Sequence, residues 1–286
     1  MITIEKLTFR YDDKVEPTLK GLNLVIQDGT YVAVIGPNGC GKTTLIRHLN
    51  GLLPPTEGEV RVDGLNTRDS DSLREIRQRV GMVFQNPDSQ IVGMTVREDV
   101  SFGPGNLSLP AKEIRERVAR SLDLVGMTAH ADRAPHTLSG GEKQLVALAG
   151  VLAMNPSHIV LDEPTSFLDP MGRKRVLAAI RALNKKGITI IHVTHDMDEI
   201  VEADQILVMN GGRIELSGGP SEVFSKNDLL QDLGLDVPAV AALLWRLNQL
   251  GADLPVDILN LEEACRAISA RIGRGNSGLR SASPGV

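Results

Sequence analysis

A glycine-rich segment that follows a short apolar run constrains the fold of this chain more than any other feature. Residues 36–44 read Gly-Pro-Asn-Gly-Cys-Gly-Lys-Thr-Thr and fit Gly-x-x-x-x-Gly-Lys-Ser/Thr, the pattern of phosphate-binding loops. The preceding residues, Tyr31–Ile35, predict a buried strand, and an amphipathic helix is predicted to begin near Leu45. Glycines let the backbone approach a phosphate closely, so that N–H groups and a helix N-terminus bind it. The sequence therefore predicts a nucleotide-phosphate site in an α/β fold.

Composition excludes several classes of protein. The chain has 286 residues, of which 42% are hydrophobic, and this suits one or two domains with a buried core. The longest apolar stretch, Leu145–Met154, is too short to cross a bilayer, and no secretory signal is evident. Two cysteines, Cys40 and Cys265, make no disulfide framework, so we expect a cytosolic location. A net charge of −5 without a basic block argues against a nucleic-acid partner.

The hydrophobic pattern divides the chain into regions. Residues 1–84 are rich in predicted strands, and residues 86–155 show helical periodicity. Strand and helix then alternate from His158 onward, which predicts a parallel sheet with right-handed crossovers and includes a predicted helix over Met197–Ala203. We expect the domains to be a main domain, a C-terminal helical extension and a disordered Gly/Ser-rich tail, over residues 1–225, 226–272 and 273–286.

Two carboxylates end another apolar run. Asp162 and Glu163 follow Ile159-Val160-Leu161, and beside a phosphate loop such a strand would bring Asp162 to a Mg²⁺ site and Glu163 to an attacking water. The loop itself would supply Lys42 to the β- and γ-phosphates and the Thr43 hydroxyl to Mg²⁺. Because apolar residues followed by Asp-Glu are common, the phosphate loop gives this interpretation most of its weight.

A second glycine pair indicates a second anion site. Leu138-Ser139-Gly140-Gly141-Glu142 opens a predicted helix, whose N-terminal N–H groups can bind an anion. The same residues also fit an ordinary N-cap with a flexible entry. One nucleotide does not need two such sites from one chain, so the pattern makes sense if each site serves a different copy of the protein.

The ordered set of motifs resembles the nucleotide-binding subunit of ABC transporters over about residues 2–225. The resemblance rests on residues 36–43, Gln85, Leu138–Glu142, Asp162-Glu163, Ser166–Asp169 and His195. It implies an α/β P-loop NTPase fold of the ABC ATPase type, with an N-terminal antiparallel β subdomain, a RecA-like parallel core and a helical subdomain near 86–155. It also implies an ATP hydrolase coupled to transmembrane transport, with ATP and Mg²⁺ bound between two subunits arranged head to tail.

The resemblance also implies roles for individual residues. Tyr11 matches the aromatic that stacks on adenine, His195 would orient the water at the γ-phosphate, and Asp169 would couple the two sites. A strand-edge aromatic and a surface histidine are the alternative interpretations of the first two. The implied catalytic residues are Glu163, His195, Lys42 and Gln85, and the implied metal ligands are Thr43, Gln85 and Asp162. The implied nucleotide contacts are Tyr11, Gly36, Pro37, Asn38, Gly39, Cys40, Gly41, Lys42, Thr43, Thr44, Ser139, Gly140, Gly141 and Asp169.

Three further segments are similar to ATPases of energy-coupling factor transporters, which import vitamins or transition-metal ions such as cobalt and nickel. They are residues 83–90, 149–156 and 233–238. This resemblance implies an identical or paralogous ATPase partner, a transmembrane coupling protein, a substrate-binding membrane protein, and a peripheral location at the cytoplasmic face of the membrane. Another class of ABC transporter, or a soluble ABC protein acting on DNA or ribosomes, remains an alternative.

Four residues depart from the usual ABC pattern. Glu142 replaces a Gln, Leu145 stands where many relatives have Arg, Phe167 replaces a small residue and Cys40 replaces a Ser. Because Cys40 lies at a predicted helix N-terminus beside Lys42, we expect its thiol to be unusually acidic and open to alkylation. None of the four removes a catalytic group.

Overall fold

The computed structural model describes residues 1–12 and 15–278, with side chains as far as residue 271. The strands are β1 (Ile2–Phe9), β2 (Leu19–Ile26), β3 (Tyr31–Ile35), β4 (Glu57–Val62), β5 (Leu65–Asn66), β6 (Val80–Val83), β7 (His158–Asp162), β8 (Thr189–Val193), β9 (Gln205–Asn210) and β10 (Arg213–Gly218). The helices are α1 (Lys42–Leu49), α2 (Leu73–Arg79), α3 (Val96–Asn106), α4 (Ala111–Leu124), α5 (Gly140–Ala153), α6 (Pro170–Asn184), α7 (Pro220–Phe224), α8 (Asn227–Asp232), α9 (Ala239–Gln249) and α10 (Leu261–Gly278).

A six-stranded sheet forms the centre of the molecule, in the order β10-β9-β3-β8-β7-β6. The five strands from β9 to β6 pair in parallel, and β10 pairs antiparallel with β9 at the edge. Strand β3 is buried along its whole length because its alternate side chains enter two different cores. Apolar residues at every position, as in Tyr31–Ile35, are what a strand covered on both faces requires.

A separate four-stranded sheet, ordered β2-β1-β4-β5, is antiparallel and lies in the N-terminal part of the chain. Burial in β1 follows the alternation of its apolar residues, with Ile2, Ile4, Leu7 and Phe9 buried. The register between β1 and β2 shifts twice between Ile4 and Phe9, where the strand irregularities interrupt the pairing. The expected antiparallel β subdomain and parallel core are thus both present.

Helices α3, α4 and α5 make up the expected helical insertion between β6 and β7. Helix α3 begins with a capping box, in which the Thr95 hydroxyl accepts from Glu98 N and the Glu98 carboxylate accepts from Thr95 N. Of these three helices, α5 packs against β6 of the sheet, and its Leu145 and Leu148 are buried in the larger core. None of the helices in the described ranges is long and apolar enough to span a bilayer.

Several expected boundaries differ from the structure. The helix predicted over Met197–Ala203 is wrong: a single 3₁₀ turn covers Met197–Glu199, because Asp196 and the inward-turned Glu199 side chain hold this segment. Helix α1 begins at Lys42 rather than near Leu45. Helix α10 continues to Gly278, six residues into the segment predicted as a disordered tail, and residues 279–286 lie outside the described part of the chain.

A polar cluster is buried on one side of the parallel sheet. The Tyr31 hydroxyl lies 2.8 Å from His192 Nδ1, and His192 Nε2 lies 3.6 Å from a carboxylate oxygen of Glu199. Burial lowers the pKa of His192 to about 3 and raises the pKa of Glu199. His192 is therefore neutral in the folded protein, whereas in the unfolded chain it takes up a proton near pH 6.5.

The buried histidine predicts a loss of stability in acid. Because the folded pKa lies below the unfolded one, the contribution of His192 is complete above pH 6.5 and is lost progressively as the pH falls towards 3. From this residue alone we expect the free energy of unfolding to fall by about 2 kcal/mol between pH 7 and pH 5.

Urea unfolding of His192→Gln at both pH values checks this expectation. The free energy of unfolding should change less steeply with pH in His192→Gln than in the parent. In His136→Gln, at an exposed position, the slope should equal that of the parent. Equal slopes for the parent and His192→Gln would contradict the expectation.

Candidate functional site

The loop between β3 and α1 has the backbone shape that its glycines predict. Gly36, Gly39 and Gly41 adopt φ values of 152°, 78° and 109°, which residues other than glycine rarely adopt. A Cβ atom at Gly36 would also collide with the carbonyl oxygen of Met209. The loop passes into α1 at Lys42, so the N-terminus of this helix opens onto the loop. This is the geometry of an anion-binding loop.

Lys42 is folded into the loop and is only 7% exposed. Its ammonium donates to the carbonyl oxygens of Gly36 at 2.6 Å and Pro37 at 3.1 Å. These bonds hold a positive charge at the loop. The Tyr11 hydroxyl lies 3.3 Å from Thr44 Oγ1 in α1. The Tyr11 ring packs edge-on against Phe9, with the two ring centroids 4.8 Å apart.

Oxygen ligands suitable for a hard cation meet beside the loop. Thr43 Oγ1 donates to Asp162 Oδ1 at 3.4 Å, so the end of β7 and the start of α1 are in contact. Burial, as the largest effect, raises the pKa of Asp162. A hydroxyl and a carboxylate are ligands that Mg²⁺ prefers, and a bound dication would favour the ionised form of Asp162. The residues present therefore fit this metal.

Two of the other three predicted catalytic side chains, those of Gln85 and His195, meet at Glu163. The Lys42 ammonium contacts the loop carbonyls instead. Glu163 Oε2 accepts hydrogen bonds from Gln85 Nε2 at 2.8 Å and Ser166 Oγ at 2.9 Å, and His195 Nδ1 lies 3.5 Å from the same oxygen. Glu163 also has a left-handed backbone with φ of 48°, a strained conformation that concentrates at functional sites. The structure thus brings Gln85, Glu163 and His195 together.

Ser139 and its neighbours form the start of α5. Ser139 is the N-cap, and its hydroxyl accepts from Glu142 N at 3.3 Å. Gly141 packs against Gly172 of α6, where an added Cβ would lie 2.7 Å from Gly172 Cα. Asp169 caps α6 by accepting from Gly172 N at 2.6 Å. Among the residues described, no hydrogen bond or ion pair joins Ser139–Glu142 to the loop at 36–44.

Two further loop residues, and two of the four residues that depart from the usual ABC pattern, also have defined positions in the structure. Asn38 and Gly39 are exposed at the tip of the loop, and Phe167 is 74% exposed just before α6. The expectation of an acidic Cys40 thiol is wrong. Cys40 is 5% exposed, and burial outweighs the nearby charge of Lys42, so that its pKa is raised.

Contacts around Glu199 were not anticipated from the sequence. Its two carboxylate oxygens accept from Thr165 Oγ1 at 2.6 Å and Thr194 Oγ1 at 3.0 Å. Arg173 from α6 forms an ion pair with Asp196 and lies 3.6 Å from Glu199. Glu199 therefore ties the segment after Glu163 to the segment that bears His195. The one sequence signal for it is a carboxylate four positions after His195 that is followed by two apolar residues, Ile200 and Val201.

The C-terminal extension reaches the same segment. A cleft of about 660 Å³ lies between His195 and helices α8 and α9. Asp198, three residues after His195, accepts a hydrogen bond from Ala239 N at the start of α9 at 3.1 Å. The extension therefore contacts the segment that positions His195.

Comparison with known proteins agrees with this geometry. Residues 19–166 match the family model described as ABC transporter. The chain is 55% identical, over 94% of its length and 96% of the relative's, to a protein named cobalt import ATP-binding protein CbiO from Syntrophus aciditrophicus. It is 49% identical to an energy-coupling factor transporter ATP-binding protein EcfA1 from Caldanaerobacter subterraneus, with coverage of 92% and 96%.

Solved structures agree as well. The structure described as cbiO1 from Clostridium perfringens, part of the ABC transporter complex cbiONQ, superposes with a TM-score of 0.75 at 38% identity and covers 87% of this chain and 97% of its own. A dimeric ATP-binding cassette in a post-hydrolysis state bound to ADP and Pi gives a TM-score of 0.68 at 33% identity, with coverage of 77% and 98%.

The parallel sheet and its glycine loop define an α/β P-loop ATPase. The chain belongs to the ABC transporter family, as an ATP-binding subunit of the energy-coupling factor type, and the resemblance inferred from its motifs is confirmed. Subunits of this class hydrolyse ATP to drive transport.

The burial of Cys40 predicts slow alkylation. At pH 7 we expect iodoacetamide to modify the exposed Cys265 at least about tenfold faster than Cys40, because a buried thiol with a raised pKa presents little thiolate. Peptide mass mapping over time measures both sites in one sample. Equal rates at the two cysteines would contradict the burial seen here.

Proposed function

We propose that this chain is the ATP-hydrolysing subunit of an energy-coupling factor importer and works as a head-to-tail pair. In the pair, each ATP lies between the loop at 36–44 of one subunit and Ser139–Gly141 of the other. The observation that carries the proposal is the separation of two helix N-termini, at Lys42 and Gly140, which have no hydrogen bond between their segments in the described ranges. Each of them is half of a phosphate site.

The proposed nucleotide contacts follow the positions of the side chains. Tyr11 stacks on adenine, which its place beside α1 supports. Backbone N–H groups of the loop and the Lys42 ammonium bind the β- and γ-phosphates. Asp169, which caps α6 through Gly172, the residue that packs against Gly141, contacts the partner and couples the two sites. The other proposed contacts are Gly36, Pro37, Asn38, Gly39, Cys40, Gly41, Thr43, Thr44, Ser139 and Gly140.

Thr43, Asp162 and Gln85 are the proposed ligands of Mg²⁺. When bound, the ion neutralises charge on the phosphate oxygens. Asp162 is held towards Thr43 by their hydrogen bond, and Gln85 lies at the adjoining Glu163 carboxylate, so these oxygens share one edge of the sheet.

Glu163 is the proposed general base. Its carboxylate accepts a proton from the attacking water, and the donors Gln85 and Ser166 fix the orientation of that carboxylate. His195, with its side chain 65% exposed, is free to turn towards the γ-phosphate and orient the water. Lys42 stabilises the charge that develops on the transferred phosphoryl group.

An exposed apolar surface supports docking to a membrane subunit at the cytoplasmic face. Val92, Met94 and Phe102 are 65%, 80% and 61% exposed and fall within eleven residues at the start of the helical insertion. Gln85 lies just before them in the chain. Apolar side chains at this density favour a protein partner, so we propose that a transmembrane coupling protein binds here.

The proposed cargo is a transition-metal ion or a vitamin, selected by a separate membrane protein. The relative named for cobalt import supports cobalt as the first substrate to test. Co-expression with the membrane subunits of an energy-coupling factor importer that co-purify with this chain, followed by uptake of radiolabelled cobalt, tests that choice. Co-purification with DNA or ribosomes instead of membranes would favour the alternative of a non-transport ABC protein.

Replacing the proposed base should stop ATP hydrolysis and keep the two subunits paired around bound ATP. We expect Glu163→Gln to lower phosphate release by at least about a hundredfold while ATP binding and ATP-dependent pairing persist, because only proton transfer is lost. Phosphate release and light scattering measure the two effects. Glu57→Gln, at an exposed carboxylate in β4, serves as the control and should keep the parental rate. Parental turnover in Glu163→Gln would show that the base is another residue.

A charge on the exposed apolar surface should uncouple transport from hydrolysis. We expect Met94→Asp and Phe102→Asp to reduce uptake at least about tenfold in the assembled transporter, because a buried carboxylate disrupts an apolar interface. The ATPase rate of the separate subunit should stay within about twofold of the parent. Val25→Asp, at an exposed apolar position in β2, is the control. Unchanged uptake in both variants would remove this surface as the docking site.

A further inference from the structure

The carboxylate of Glu142 is bound to the residue that begins α5. Glu142 Oε2 accepts from Ser139 N at 2.8 Å and from Ser139 Oγ at 3.0 Å. The Ser139 hydroxyl is in turn close to Glu142 N. Both donors of Ser139, its N–H and its hydroxyl, are therefore already engaged by an anion that belongs to the same chain.

Its surroundings keep this carboxylate charged. The backbone hydrogen bond from Ser139 is the largest effect, and it lowers the pKa of Glu142. His130 Nε2 lies 3.4 Å from the other oxygen, Oε1, and the charge of Arg133 acts in the same direction. At neutral pH the start of α5 thus carries a full negative charge where the helix end favours an anion.

The proposed function requires the same donors for another anion. If Ser139 binds the γ-phosphate held by the opposite subunit, the phosphate meets the Glu142 carboxylate at the same helix end. We infer that the Glu142 carboxylate competes with the γ-phosphate for Ser139 and so raises the ATP concentration needed to pair two subunits. This inference rests on the proposed function.

A second capping box in the chain allows the effect of the carboxylate charge to be distinguished from the effect of the helix cap. At α3, Thr95 and Glu98 make the same reciprocal hydrogen bonds as Ser139 and Glu142, but in a segment to which no nucleotide contact is assigned. Glutamine also serves at this position of a capping box, so a Glu→Gln change keeps the cap and removes the charge. The pair of variants Glu142→Gln and Glu98→Gln therefore isolates the effect of charge at the nucleotide site.

The test uses the full chain in the Glu163→Gln background, where ATP should not turn over. Light scattering during a Mg-ATP titration gives the midpoint for pairing. We expect Glu142→Gln to lower this midpoint roughly three- to tenfold, the size of a partly screened repulsion between two anions. Glu98→Gln should leave the midpoint unchanged. ADP affinity, which involves no γ-phosphate, should be the same in all three proteins.

The outcomes distinguish the inference from the proposed function. Pairing with an unchanged or higher midpoint in Glu142→Gln would overturn the inference alone. An equal gain in ADP affinity would overturn it as well, because a general structural change would then explain the shift. No pairing of the background protein at saturating Mg-ATP would overturn the proposed function together with the inference. If Glu142→Gln unfolds on thermal testing, Glu142→Ala removes the same charge and should shift the midpoint in the same direction.

Discussion

Parallel pairing of the central strands is the constraint on which the site depends. In register, Asp162 lies opposite Val193 of β8, and Val34 of β3 lies opposite the same residue. The carboxyl ends of β3, β7 and β8 therefore meet at one edge, and the segments that leave them carry the loop, the paired carboxylates and His195. A shift of β7 by one residue would turn Asp162 to the other face of the sheet and move it away from the loop.

The apolar strands and the glycine loop were predictable because their signals are local. Tyr31–Ile35 and Ile159–Leu161 are apolar throughout, and positive φ at the loop glycines follows from their spacing. Strand β10 was not predicted, since it is a half-exposed edge strand with polar residues at alternate positions. The meeting of Gln85, Glu163 and His195 followed from motif order rather than from any local pattern.

Other features could not be read from the sequence because long-range contacts create them. Glu199 turns inward to bind Thr165 and Thr194, and these contacts replace the helix predicted after Met197 by a single turn. The reactivity expected for Cys40 considered only its neighbours in the chain, whereas packing around the loop removes the thiol from water. In both cases the burial of a side chain, of Glu199 and of Cys40, determined the outcome, and the neighbouring sequence does not show that burial.

The crossing of α5 and α6 at Gly141 and Gly172 has a mechanical consequence. The two helices touch through backbone atoms, and no side chain from either glycine interlocks with the other helix. A Cβ atom at position 141 would lie 2.7 Å from Gly172 Cα, so any other residue there would force one of the two helices to move. The close approach of the two helix starts therefore depends on the absence of a side chain at both glycines, and a larger residue at either one would push the start of α5 away from α6.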